Sequence, residues 1–233
     1  MNDVLREVVI LGADDIAMWA ARLIEAAIDT SVKARGVCRL VLAGGRTPAQ
    51  VYCALAQLSI IPWTDVQVYI GDERCVPPTH ADSNYRMIAE TLLSAVAIPT
   101  AHIHRLRGEI GSTAAAAEYQ TLLDPLPEPK FDFVLNGVGA DGHTASLFPG
   151  DARVSTAREW ALPAVSPPQF AVTERVGLSM RALCSTRVAC VICTGAEKRA
   201  VRGAILTGDP VAQTLPAARL RGTERTIWIV DAE

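Results

Sequence analysis

Apolar positions recur along this chain of 233 residues in two alternating rhythms. Ile16, Trp19, Leu23 and Ala27 fall at helical spacing between the acidic pair Asp14 and Asp15 and a terminating Gly36, which predicts an amphipathic helix over 16–35. A short apolar run predicts a strand at 40–43. The segment Thr47-Pro-Ala-Gln50 then opens another helix with a capping-box pattern and proline at its first position. The same reading predicts strands at 66–70, 102–105, 131–135, 160–165, 175–178, 188–194 and 226–230, with helices at 83–93, 113–123 and 196–206. Strands separated by helical stretches define the fold class: α/β, a single domain with an open, mostly parallel, doubly wound sheet and helices on both faces. Ligands in such folds bind beyond the carboxyl ends of the strands, so the residues that follow each strand are the candidates for function.

The strand at 131–135 leads into the most unusual stretch, FDFVLNGVGADGHTASLFPG (131–150). Gly137, Gly139 and Gly142 permit a tight turn and close approach of the backbone to a ligand. Their spacing matches the dinucleotide-binding pattern, but its context fails. Phe148-Pro149-Gly150 stops any helix after about a turn, and Glu159, the acidic residue near the required distance, precedes the next apolar run instead of ending it. Asp141 and His143 sit in this turn. Histidine titrates near neutrality, so His143 either takes a proton from water or simply caps the loop.

Three further strand ends carry chemistry. Gly44-Gly45-Arg46-Thr47 joins a strand to a helix and offers backbone donors at a helix N-terminus, which suit a phosphate; the alternative is an ordinary capped turn. The spacing of a Walker loop is absent. Asp72, Glu73 and Arg74 follow the next strand. Arg74 is suited to fork onto a phosphate or carboxylate or to form a structural ion pair, and Asp72 and Glu73 cannot both face one site if the strand continues. Lys198, after Thr194-Gly-Ala-Glu197, lies in the first turn of a predicted helix with a capping-box pattern. It sits against the dipole there, and either an anion or solvent compensates it. Ser146 lies one turn beyond His143 and on a helical turn would face it. His102 and His104 share a face of a short strand without a third metal ligand at useful spacing.

Composition narrows the partners. Half the residues are apolar and the mean hydropathy is +0.22, enough for a sizeable core. The net charge is −3 with basic residues scattered, which argues against a nucleic-acid partner. No stretch approaches the length of a membrane span, and the N-terminal MNDVLREVVI is too acidic and too short in apolar run for a signal peptide; a cytoplasmic location is the expectation. The six cysteines do not make a disulfide scaffold in a chain of this length, and Cys190 and Cys193 fall on opposite faces of a predicted strand. No required metal is expected.

With these residues assembled, the chain resembles the 6-phosphogluconolactonase branch of the superfamily that also holds the glucosamine-6-phosphate isomerases and deaminases. The resemblance rests on LAGGRTPAQVY (42–52), GDERCVPPTHADSNYRM (71–87), GVGADGHTASLFPG (137–150) and TGAEKR (194–199), in the family's order. Arg46 stands where many relatives have serine, and Asn136 and Ala140 vary the loop. The resemblance implies a cofactor-independent hydrolysis of a small phosphosugar lactone by a monomer or small homo-oligomer. His143 and Asp141 would be catalytic, and Gly44, Gly45, Arg46, Thr47, Asp72, Arg74, Gly139 and Lys198 would bind substrate. A sugar-phosphate isomerase or a non-catalytic phosphosugar sensor on the same scaffold is the alternative.

Overall fold

Buried aliphatic residues fill the strands that carry the candidate site, in a computed structural model that describes residues 6–232. The N-terminal segment weighed above as a signal peptide therefore lies partly outside the described residues. In chain order the first half runs β1 (Arg6–Leu11), α1 (Ala13–Arg35), β2 (Cys38–Leu42), α2 (Arg46–Ala56), β3 (Val66–Ile70), β4 (Asp72–Arg74), α3 (Asn84–Ile88), β5 (Ile103–His104) and α4 (Ser112–Leu123). The second half runs β6 (Phe131–Gly137), α5 (Arg153–Thr156), β7 (Ala161–Val165), β8 (Glu174–Leu178), α6 (Met180–Cys184), β9 (Thr186–Cys193), α7 (Arg199–Thr207) and β10 (Arg225–Asp231).

Seven strands form one parallel sheet in the order β1-β10-β9-β6-β2-β3-β5. Alternate side chains enter two cores, as the pleat requires. Leu40, Leu42, Cys190, Ile192, Ile227 and Ile229 pack with α1 and α2, whereas Val41, Val191, Cys193 and Trp228 pack on the opposite face. The expected separation of Cys190 from Cys193 is thus observed, and burial pushes both thiols up, Cys193 to about 11. The predicted parallel α/β architecture is present, with helices against both faces.

The strands predicted at 160–165 and 175–178 are present but do not join the large sheet. These segments are β7 and β8, and together with β4 they form a separate three-stranded antiparallel sheet in the order β4-β8-β7. The connection between β7 and β8 is too short for the crossover that a parallel pair needs, so an antiparallel return is the geometric solution. The small sheet begins where the chain leaves the large one. Gly71 donates its N–H to the Leu42 carbonyl at 2.9 Å, and its own carbonyl accepts from the Leu178 N–H at 2.8 Å.

Helix starts also differ. Thr47 does not cap α2; Gly45 occupies that position without a side-chain bond, and the Thr47 hydroxyl lies 3.3 Å from that of Thr194. The helix predicted over 196–206 is split into a 3-10 turn at Ala196–Lys198 followed by α7, with no side-chain cap from Thr194. Ser83, the first residue of the helix predicted over 83–93, does cap, accepting from the Arg86 N–H ahead of α3, which continues as a π-helical turn at Ala89–Leu93. His102 belongs to a 3-10 turn and only His104 lies on β5, stacked 4.5 Å from the Tyr69 ring, so the two do not share a strand face.

Candidate active site

The carboxyl ends of β2, β3, β6 and β9 surround a pocket of about 540 Å³, closed on one side by Phe170 and Arg175 from the small sheet and its loop. Gly44, Gly45, Arg46, Thr47, Asp72, Arg74, Gly139, His143 and Lys198 all line it. Gly44 and Lys198, 154 positions apart in sequence, are brought together because four neighbouring strand ends meet on one edge.

His143 is fixed by the loop in which it lies. Its Nδ1 is 2.5 Å from Asp141 Oδ1, and the same carboxylate oxygen accepts the His143 backbone N–H at 3.1 Å. A carboxylate can only accept, so Nδ1 carries the proton and Nε2 presents a lone pair. Asp141 itself stands behind the ring and does not line the pocket. The imidazole lies directly across Gly139. A Cβ at Gly139 would come within 2.1 Å of the ring and 2.7 Å of Asp141 Oδ1, so only glycine fits. At Gly142, φ is +82° and a Cβ would meet Leu215 at 2.7 Å, which excludes side chains for two reasons. Phe148 and Phe170 flank the ring at 5.0 and 5.7 Å between centroids. No long helix follows this loop, which disposes of the dinucleotide pattern.

Asp72 and Glu73 diverge, as strand alternation demands. Buried Asp72 accepts the Ser146 hydroxyl at 2.6 Å and the Asn84 amide at 3.2 Å. Ser146 therefore serves Asp72 and does not face His143. Glu73 turns away and receives the Arg74, Asn84 and Tyr85 N–H groups and the Ser83 hydroxyl, all within 2.9 Å. Burial pushes its carboxyl up, and these four donors act against the shift.

Arg74 and Arg175 stand opposite each other across the β4–β8 pair. Like charges in that relation are unfavourable. Among the described residues, the Nε of each is buried without a partner, as is the Asn136 amide nitrogen at the end of β6. Burial first, and then the Arg74 guanidinium, push Arg175 below its ordinary value. Three unspent donors around one cavity are an incomplete set that an anionic, oxygen-rich ligand completes. Of these, Arg175, Asn136 and Phe170 were not among the sequence-derived candidates. Asn136 had a signal, a polar residue ending an apolar strand. Arg175 and Phe170 had none, because the small sheet that brings them in was not foreseen.

No group of three or more His, Cys, Asp or Glu side chains among the described residues is arranged to hold a metal ion. No described helix is long and apolar enough to cross a membrane.

A parallel sheet with a glycine-held Asp–His pair and a basic cleft at its carboxyl edge defines an α/β protein with a candidate site for an anionic ligand, and comparison with known proteins identifies the family. The family described as glucosamine-6-phosphate isomerases/6-phosphogluconolactonase matches residues 12–228, and the chain belongs to it. The chain is 33% identical over 218 residues to a 6-phosphogluconolactonase of a Synechocystis species, a match that covers 88% of this chain and 87% of that protein. The crystal structure of 6-phosphogluconolactonase from Thermotoga maritima superposes with a TM-score of 0.87 at 29% identity, covering 98% of this chain and all of that one (100%). A monomeric glucosamine-6-phosphate deaminase shares the fold, with a TM-score of 0.83 over 97% of this chain and 98% of that one, at 18% identity.

Proposed function

We propose that the protein hydrolyses 6-phospho-D-glucono-1,5-lactone to 6-phospho-D-gluconate, the second step of the oxidative pentose phosphate pathway, in the cytoplasm. The observation that carries this reading is the placement of His143, held from behind by Asp141, in the same pocket as the unspent donors of Arg74 and Arg175. The relatives named 6-phosphogluconolactonase support it.

His143 Nε2 takes a proton from water, and the resulting hydroxide attacks the lactone carbonyl carbon. The tetrahedral intermediate then collapses with cleavage of the bond to the ring oxygen, which leaves with the proton returned by the imidazolium. Asp141 holds the ring by Nδ1 and favours the imidazolium that forms. Arg74, Arg175, Lys198 and the backbone donors of the Gly44–Thr47 turn grip the phosphate, so the far end of the substrate places the carbonyl. Asp72, held by Ser146 and Asn84, positions the sugar hydroxyls. Backbone N–H groups of the glycine loop serve the developing oxyanion.

Fresh 6-phosphogluconolactone and, separately, glucosamine 6-phosphate are the discriminating substrates. The expected result is acid release from the lactone above its spontaneous rate and no turnover of the amino sugar. Turnover of the amino sugar would favour an isomerase or deaminase, and binding without turnover a sensor. Exhaustive dialysis against EDTA is expected to leave lactone hydrolysis intact; loss that zinc or magnesium restores would add a metal to the reading.

A further inference from the structure

At the opposite end of the large sheet lies a second groove, of about 680 Å³, bordered by the segments that precede β6, β9 and β10. Arg181, Arg219 and Arg221 converge on it, and Glu128 is the only carboxylate among its described lining residues. Arg181 is largely committed. It stacks 3.6 Å from the Trp160 ring centroid, donates to the Arg158 carbonyl and approaches Glu128 at 3.4 Å.

Arg219 and Arg221 are not. Arg219 donates to the Ser155 hydroxyl, and Arg221 makes a long 3.5 Å contact with the Arg219 carbonyl. Among the described residues no carboxylate pairs with either. The nearby acid Glu224 is already bound to Arg187 at 2.6 Å. Both guanidiniums lie close enough to the Cys184 thiol to oppose the upward push that burial gives it, so their charge is concentrated at one spot.

The segment that carries these arginines is anchored to the sheet. Ala217 donates to the Gly142 carbonyl at 3.1 Å, Gly222 to the Thr226 hydroxyl at 3.1 Å, and Thr223 to the Thr186 carbonyl at 2.7 Å. Two like charges carried two residues apart on an anchored backbone repel each other unless something compensates them, and a pair of guanidinium forks suits a multiply charged oxyanion. The hydroxyls of Ser155, Ser185 and Thr223 border the same groove and add donors of the kind a phosphate accepts. The buried Trp160 ring is already engaged by two cations, Arg181 at 3.6 Å and Lys130 at 4.5 Å from its centroid. That leaves no aromatic platform for a base or sugar ring.

We propose that this groove is a second anion site, separate from the pocket at the carboxyl edge, which takes the diphosphate or phosphate-monoester group of a small molecule through Arg219 and Arg221.

The test is calorimetric titration of the full-length protein with inorganic pyrophosphate at low ionic strength. Two sites are expected in the wild type. Arg74→Ala should remove one of them, while Arg219→Gln and Arg221→Gln should each weaken the other by about 10-fold or more. Arg221 is exposed and carries no ion pair, so Arg221→Gln should fold as the wild type does and keep its lactone kcat/KM in the absence of pyrophosphate. A single site lost in Arg221→Gln but kept in Arg74→Ala would support the groove and count against the phosphate grip proposed for the pocket. A single site lost only in Arg74→Ala, a second site unaffected by both glutamine variants, or no binding at all would overturn the proposal.

Discussion

Two sets of arginines stand at opposite edges of the same sheet and have opposite fates. At the amino edge, the carboxylate of Asp132, buried at the start of β6, accepts from Arg35 at 2.7 Å and from the Arg39 N–H at 2.8 Å, with Arg187 at 3.4 Å. Arg35 shares that carboxylate, and Arg187 also reaches Glu224 at 2.6 Å. At the carboxyl edge, Arg74 and Arg175 face each other, neither forms an ion pair with a carboxylate among the described residues, and buried donors are unused. The contrast separates two meanings of a buried arginine: a compensated one ties elements together, whereas an uncompensated one held in place is set for a ligand. Changes at the pocket should therefore cost turnover, and changes around Asp132 should cost stability.

The largest effect is expected at the pocket. His143→Ala should fold with an unchanged melting temperature and lose about 10²–10⁴-fold in kcat/KM, the usual worth of a positioned general base. Wild-type turnover in that variant, after correction for spontaneous hydrolysis, would remove His143 from the mechanism. At the other edge, Asp132→Ala strands Arg35 and leaves Arg187 with Glu224 alone, and should lower the unfolding free energy by about 3 kcal/mol, with kcat/KM of the folded fraction unchanged. Denaturant midpoints measure the first and initial rates the second; a loss of activity without loss of stability would collapse the distinction between the two edges.

A smaller effect tests the phosphate grip. Each charge-assisted bond is worth about 1.5–3 kcal/mol, so Arg74→Ala and Lys198→Ala should shrink the preference for the phosphorylated lactone over plain glucono-1,5-lactone by about 10–150-fold. His143→Ala should instead depress both substrates alike. An unchanged preference ratio in Arg74→Ala and Lys198→Ala would return those residues to a structural or surface role.

The smallest effect contrasts two histidines. Burial, and then His102, hold the His104 imidazole below its ordinary value. The unfolded chain thus binds this proton more tightly than the folded one. The contribution of His104 to stability is complete above the unfolded pKa of about 6.5 and is lost as pH falls from there through the lower folded value. His104→Phe, which keeps a ring against Tyr69, should flatten the acid limb of stability without altering kcat/KM. A limb as steep as the wild type's would place the acid sensitivity elsewhere.

The parallel sheet was legible because its strands are short apolar runs separated by helical periods, and the site followed from asking what stands after each run. Gly44, Asp72, His143 and Lys198, scattered along the chain, answer that question with one cavity. The small sheet was missed because β4 is three residues long, and because the one local sign of it, a gap between β7 and β8 too short for a parallel crossover, does not say which third strand the pair joins. Arg175 was lost with it. Cap chemistry misled at Thr47 and Thr194 because both hydroxyls turn toward each other across the pocket mouth instead of back to their own helices, a pairing of residues 147 positions apart.

Gly71 carries a further consequence. Its N–H and its carbonyl bind different sheets, so the wall bearing Arg74 and Arg175 cannot swing away from the floor bearing Gly44 and His143 without breaking both bonds at one residue. The cleft therefore lacks a hinge at this seam. In hydrogen–deuterium exchange the amides of Gly71 and Leu178 should open together with the central strands, in the slowest class, while the 166–173 loop that carries Phe170 exchanges independently and supplies whatever gating the substrate encounters.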